Sequence, residues 1–360
     1  MLYNPLLVGT SKGLIVFDKK GKEWTIQKIH FLGLPVSVIH TDQINQTWWI
    51  GISHHHWGQK LYSSKDLGST WQTITTPKYP SNTLLHNQPV SLKKIWCIQQ
   101  GGPSYPNRLW IGTEPGGLFK SEDYGQSFEL VQNLWNHPSR QNKNQWFGTG
   151  RNGPYIHSIV IDPKDNDHVY VAVSCAGIFE TYDSGQTWVP RNNGLIAAYL
   201  PNPTAEIGHD PHLLLACPSH PEVLWQQNHC GVFRSINGGM NWKDVSGPLN
   251  YGFAIAVDEI DPLKAWIIPA VSDEIRVAPD LALRVCYTDD GGQNWQELKD
   301  GLPQDNCFDI IFRHSFGKDQ QSMAFGTTTG NLYVSENEGQ SWSCISNNLS
   351  RIDCISFGNK

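Results

Sequence analysis

The feature that most constrains this chain is an octapeptide written six times: SKDLGSTW ending at Trp71, SEDYGQSF at Phe128, TYDSGQTW at Trp188, SINGGMNW at Trp242, TDDGGQNW at Trp295 and SENEGQSW at Trp342. The closing aromatics are 57, 60, 54, 53 and 47 residues apart, a period that belongs to propellers and solenoids. A worn seventh copy, FDKKGKEW, ends at Trp24, 47 residues before Trp71. It keeps the glycine but lacks the leading Ser/Thr and places Asp18 one residue early.

Ahead of each octapeptide the same order recurs. In the fourth unit YIHSIVI, DPKDND, HVYVAV, SCAG, IFETY and DSGQTWVP read as strand, turn, strand, Gly-rich turn, strand and box. Short strands with even turn signals and no amphipathic helical window predict four-stranded antiparallel blades. The expected architecture is therefore all-β, a single seven-bladed β-propeller over 1–360, with blades at 1–30 plus 349–358, 34–76, 92–133, 154–191, 210–247, 251–299 and 306–347. The first unit has no innermost strand of its own, and LSRIDCISF is left over after the last box. That strand is expected to pair beside Leu6, closing the ring without a free edge.

Within the box, Asp, Asn, Ser and Thr can bond to nearby backbone, glycine can take positive φ, and the aromatic can wedge between sheets. The expected turn anchors are Asp66, Asp123, Asp183, Asn237, Asp289 and Asn337. A motif repeated six times reads as a fastener rather than a reaction centre.

These octapeptides resemble the BNR or Asp-box repeat of sialidases, sortilin-type receptors, xyloglucan-active hydrolases and photosystem II assembly propellers. The runs GHDPHLLLACP, VLWQQNHCGVFRS, FAIAVDEIDP and PAVSDE are similar to a bacterial family of stand-alone sialidase-like, BNR-repeat glycosyl hydrolase proteins. The resemblance implies the propeller and a carbohydrate-directed, hydrolase-like role, although one fold hosts many functions. The sialidase pattern itself is not met: there is no Arg-Ile-Pro, only nine arginines, and seven units where sialidases have six.

Charge narrows the partners. With 17% charged residues and a net charge of −6, no basic footprint for nucleic acid is present. No apolar run approaches the length of a membrane span, and no leader pattern opens the chain. A soluble, cytoplasmic protein is expected, with its eight scattered cysteines as reduced thiols. A closed ring leaves no strand in need of a partner, so a monomer is expected.

In such blades the boxes share one face with the turns between the first two strands. The opposite face receives the turns between the second and third strands and the crossings between blades. Here that second face carries SHHHWGQ, QQNHCG, VSDEIRVAPDLALR and the long stretches 131–154 and 190–212. Loops of this length in a compact domain are usually functional or disordered, and their richness in Trp, His and Arg reads as functional. Period two puts Asp210 and His212 of GHDPH on one side of a strand and His209 on the other. His157 stands at the same level of the neighbouring blade, and His229 comes from the turn above.

The candidate catalytic residues are Asp210, His212, His157, Asp273 and Glu274. The candidate ligand-binding residues are Arg151, His209, Asn228, His229, Arg276, Trp57 and Trp146. A glycosidase needs two carboxyl groups roughly 5–10 Å apart. Asp273 and Glu274, adjacent on a strand, would point apart, so Asp210 is the expected partner for one of them. Asp309 and Asp353 are expected on innermost strands of the seventh and first blades.

Three uses of the His/Asp cluster stay open: acid/base work with Asp210 orienting a histidine, a divalent metal on His209, Asp210, His212 or His229, and a polar network that stiffens the channel. No other cofactor is expected. The leading expectation is a carbohydrate-directed hydrolase-like propeller taking a small molecule or glycan at the mouth. The alternatives are a non-catalytic scaffold for a protein or glycan partner and a metal-dependent enzyme.

Overall fold

The middle strands of the units are buried on both faces; Val169–Val173, for instance, is buried along its whole length. A sheet built from such strands must be covered on both sides, and neighbouring sheets supply the cover. The computed structural model describes residues 4–21, 23–85, 87–142, 145–148, 153–247 and 251–358. They form seven four-stranded antiparallel sheets, a seven-bladed β-propeller. The core is divided accordingly into clusters that each span one blade interface. Tyr170, Leu195 and Trp242, for example, meet between blades four and five, and Leu6, Ala324 and Ile355 meet between blades one and seven.

Ring closure follows the sequence expectation. Ile352–Phe357 is the innermost strand of the first blade and lies antiparallel to Leu6–Thr10, with Leu6 opposite Phe357 and Val8 opposite Ile355.

The octapeptides are tight turns between third and fourth strands. In the fourth blade Thr181 Oγ1 donates to Asp183 Oδ1 (2.7 Å) and accepts from Gly185 N (3.0 Å), while Asp183 accepts from Thr187 N (2.8 Å) and Thr187 Oγ1 (2.6 Å). Gly185 sits at φ 90°, where a side chain would be strained. Asp66, Asp123, Asn237 and Asn337 anchor their turns in the same way. The sixth turn corrects the sequence reading: Asp290, not Asp289, accepts from Thr288 Oγ1 (2.9 Å) and Asn294 N (3.0 Å). The anchor stands two residues after the leading Ser/Thr, and Asp289 occupies the unconstrained position between them. The closing tryptophans tie blades together: Trp242 Nε1 donates to Arg191 O (2.8 Å) and Trp295 Nε1 to Val245 O (2.7 Å), each in the preceding blade or its exit.

A second correction concerns Asp309. The innermost strand of the seventh blade is Phe316–Asp319, not the NCFDII stretch. Asp309 lies in the crossing that precedes it and accepts from Thr329 Oγ1 (2.5 Å) and Asn331 Nδ2 (2.8 Å). The chain leaves sheet pairing here because its end is carried into the channel: His314 Nε2 bonds His157 O (2.9 Å) in blade four, and Ile355 N of blade one donates to His314 O (2.7 Å).

Candidate functional site at the channel mouth

A repeated irregularity builds the site. In six blades the innermost strand carries a register shift near its loop-face end. It falls between Val36 and Val38, Ile95 and Cys97, Ile156 and Ser158, Pro211 and Leu213, Gly252 and Ala254, and, on the closing strand, between Cys354 and Ile352. The extra residues are Ser37, Trp96, His157, His212, Phe253 and Asp353. A bulge leaves one residue unpaired and re-aims its side chain. Five of these six line one cavity of about 540 Å³ at the channel mouth, in the size range of small-molecule sites. Lys94, Tyr155, Asp210, His229, Asp273, Arg276, Arg313 and Arg351 complete most of its wall, so every blade contributes. The sixth bulged residue, His157, lines the channel immediately beneath, a space of about 230 Å³ that shares Trp96, Arg313 and His314 with the mouth.

One wall is aromatic. The rings of Trp96 and Tyr155 are stacked at 4.3 Å and 16°, with the Lys94 ammonium 3.7 Å above Trp96. Phe253 lies flat on His212 (4.7 Å, 21°), and Tyr251 stands edge-on to both His212 and His229.

The polar part of the wall adjoins these rings and is centred on Asp210. Its Oδ1 accepts from Ser174 Oγ (2.7 Å) and Cys175 N (3.1 Å). Its Oδ2 faces His212 Nε2 at 3.6 Å and His229 Nδ1 at 3.7 Å. Burial alone would raise the Asp210 pKa, but the nearby His212 imidazole, the Arg313 charge and the Ser174 hydroxyl hold it well below the usual carboxylate range. Burial lowers the pKa of His212, lowers that of His157 strongly, with Arg313 and His314 adding to the effect, and brings that of His314 down to about 4. The site thus sets a carboxylate beside imidazoles, those of His212, His157 and His314, whose burial disfavours the charged form.

Two further carboxylates are already engaged. Asp273 accepts from Tyr251 Oη (3.2 Å) and pairs with Arg276, and Asp353 pairs with Arg351 (2.9 Å). Arg313 differs. It is 8% exposed, its Nε lacks a partner, and it makes no hydrogen bond or ion pair among the described residues. Its guanidinium lies 5.2 to 5.8 Å from the rings of Phe253, Tyr155 and Trp96.

Several sequence candidates are placed elsewhere. His209 is turned away from Asp210, as alternation requires, and its Nε2 bonds Ala205 O (2.6 Å). Asn228 is buried, spanning its own turn through Gln226 Oε1 and Cys230 N. Trp146 is 2% exposed and packs on Phe179, with Arg140 between it and Trp135. Trp135 and Trp146 are thus buried within their own loop rather than turned to the cavity. Trp57 is 68% exposed at a turn tip, and Glu274 is exposed outside the cavity wall. Arg151 lies outside the described residues. Reading the sequence did not single out Tyr155, Phe253, Arg313 or Arg351; the available signal was the basic interruption RHS at the end of the apolar run CFDIIF.

No family model matches the chain. Over 198 residues, 53% of its length, it is 28% identical to the oligoxyloglucan-reducing end-specific xyloglucanase of Emericella nidulans, and it covers 21% of that protein. The chain therefore spans about a fifth of the length of this curated relative. An ancestral GH74 enzyme superposes with a TM-score of 0.59 at 17% identity, over 96% of this chain and 40% of its own. The periplasmic gluconolactonase PpgL of Pseudomonas aeruginosa superposes with a TM-score of 0.60 at 13% identity, over 98% of each chain. Fold and site together define a seven-bladed propeller with a ligand-sized, polar and aromatic cavity at the mouth of its channel. The sequence similarity to a xyloglucanase extends over about half of the chain.

Proposed function

We propose that the protein is a carbohydrate-directed, hydrolase-like propeller whose channel mouth takes a sugar bearing an acidic group. The observation that carries this reading is Arg313. A buried guanidinium with no hydrogen-bonded carboxylate among the described residues is costly, and a carboxylate or phosphate is the group whose geometry answers it best. Trp96, Tyr155 and Phe253 around it offer flat apolar faces of the kind on which sugar rings stack. The partial similarity to a xyloglucanase supports the sugar class. In this reading the edge formed by Asp210, His212 and His229 is where an attacking water is organised, with Asp273 joined to it through Tyr251.

A second reading, binding without turnover, is favoured by one feature: Asp273 and Asp353 are each neutralised by an arginine, leaving Asp210 as the carboxylate not paired with a Lys or Arg.

Isothermal titration with glucuronate and galacturonate against glucose and galactose tests the ligand class. Acidic sugars are expected to bind at least about tenfold tighter, since a charge-assisted bond is worth about 1.5–3 kcal/mol, and Arg313→Met is expected to erase the difference. Equal affinity for acidic and neutral sugars would sink the proposal. Release of nitrophenol from aryl uronides separates the hydrolase from the binding module.

A further inference from the structure

We infer that Asp210, His212 and His229 form a three-ligand site for a divalent transition-metal cation of the zinc class, open on the side of the channel-mouth cavity. The inference deepens the reading of the mouth as the ligand site, but it stands on its own geometry.

The donor atoms converge. Asp210 Oδ2, His212 Nε2 and His229 Nδ1 all lie within 4.8 Å of one another, two of the separations being 3.6 and 3.7 Å. These gaps are too long for hydrogen bonds. Around an ion with bonds of about 2.0–2.2 Å, neighbouring donors stand roughly 3–3.6 Å apart, which the two gaps from Asp210 already approach, and the imidazoles must close on each other from within 4.8 Å. His229 can supply most of that movement, because its side chain is partly exposed on a turn. The turn itself is tied to the strand by His229 N donating to Asp210 O (2.9 Å).

The partners behind each ligand fix which atom faces inward. Asp210 Oδ1 is held by Ser174 Oγ and Cys175 N, which leaves Oδ2 for the ion. His212 Nδ1 lies 2.6 Å from Gly252 O. A carbonyl only accepts, so Nδ1 carries the proton and Nε2 presents its lone pair to the cavity. Metal-binding imidazoles are oriented in this way, by a carbonyl or carboxylate on the far nitrogen. Phe253 stacked on His212 and Tyr251 edge-on to both imidazoles restrict the rings further.

The arrangement also favours a positive charge at its centre. A carboxylate oxygen and an imidazole lone pair face each other across 3.6 Å as two acceptors. A cation among the three donors relieves that repulsion and satisfies all of them at once. The third donor, His229, closing on the same point is what a lone proton does not require. Two imidazoles and one carboxylate suit zinc or a neighbouring first-row ion.

The test uses the full chain, stripped with EDTA, in a background with His54, His55 and His56 replaced by Ala, because that exposed run can bind metal by itself. Zn²⁺ is titrated alone by calorimetry, and Co²⁺ alone is followed by its visible absorption. One equivalent is expected to bind, with ligand-field bands from Co²⁺ in a nitrogen and oxygen shell. His229→Ala and Asp210→Asn are expected to weaken Zn²⁺ by more than about 100-fold. Ser174→Ala, which touches no ion, is expected to weaken it by about 10- to 100-fold. His229 lies at the surface end of the cluster, so its variant reports even where Asp210→Asn fails to fold. No stoichiometric binding in the triple-Ala background, or binding that His229→Ala leaves intact, overturns the site. Zinc bound while acidic sugars are ignored overturns the ligand class alone. Acidic sugars bound by protein that takes up no zinc overturns the metal site alone.

Discussion

Replacing Arg313 with Met should raise the stability of the ligand-free protein while removing its preference for acidic sugars, a pairing of effects that a merely structural arginine would not give. The magnitude can be worked from its surroundings. Withdrawing one charge from water into a protein interior costs several kcal/mol after relaxation. Against this stand three ring contacts at 5.2 to 5.8 Å, worth about 0.5–1 kcal/mol each, and the field of Asp210, whose pKa the Arg313 charge helps to lower. Met keeps the apolar part of the stem's packing. The balance leaves Arg313→Met more stable by about 1–2 kcal/mol, measured as a higher midpoint in urea at unchanged m-value. Arg140 supplies the control. It is as well buried, but its Nη1 donates to Gly116 O (2.6 Å) and its guanidinium lies 3.7 and 4.7 Å from Trp135 and Trp146. Arg140→Met should therefore destabilise by about 1–3 kcal/mol. If both variants lose stability equally, Arg313 is satisfied in the free protein and the reasoning fails.

Other outcomes follow from the same structure. Thr181→Val keeps shape but strands the buried Gly185 N–H, and should cost about 1–3 kcal/mol in urea unfolding; a loss below about 0.5 kcal/mol would show that the turn does not depend on this bond. Bonds from Thr70, Ser127 and Asn294 bring the Asp66, Asp123 and Asp290 carboxyls down to about 2 in the folded state, below the unfolded value of about 3.9. Their contribution is present above about pH 4 and is lost as pH falls toward 2. The Asn triple variant should melt lower at neutral pH and show a shallower acid slope, and parallel slopes would contradict this. Deleting residues 352–360 removes Ile352, Cys354, Ile355 and Phe357 from the ring, all buried. At about 1.5–3 kcal/mol per large apolar side chain, the loss rivals a whole domain's stability, and no cooperative unfolding transition should remain. Trp57→Ala should leave both unfolding and sugar affinity unchanged, since the ring is exposed and lies outside the cavity wall.

The propeller was legible because its fasteners are local: Ser/Thr, Asp/Asn, Gly and aromatic at fixed spacing describe a turn whose bonds close within eight residues. The misplacement of the sixth anchor arose where two aspartates stand side by side and only the count from Thr288 distinguishes them. The alternation rule also placed His209 opposite Asp210 and His212, and the structure has it so. The bulges were not legible. A single extra residue at the end of an innermost strand leaves the apolar pattern of that strand intact, yet it aims Trp96, His212, Phe253 and Asp353 into the mouth. Length misled at Trp146, whose loop is long because it carries its own small core of Trp135, Arg140 and Trp146. Arg313 was missed because its stretch reads as a strand, and only the bonds of His314 to two other blades show that the chain crosses the channel there.

The most direct test of the account is a crystal structure of the protein with galacturonate at saturating concentration. The account predicts density in the channel mouth, with the sugar carboxylate on the Arg313 guanidinium and the ring against Trp96 or Phe253, on the side of the cavity that leads to Asp210 and His229. Sugar bound on the box face, or a mouth that stays empty while Arg313 finds a protein carboxylate, would contradict it.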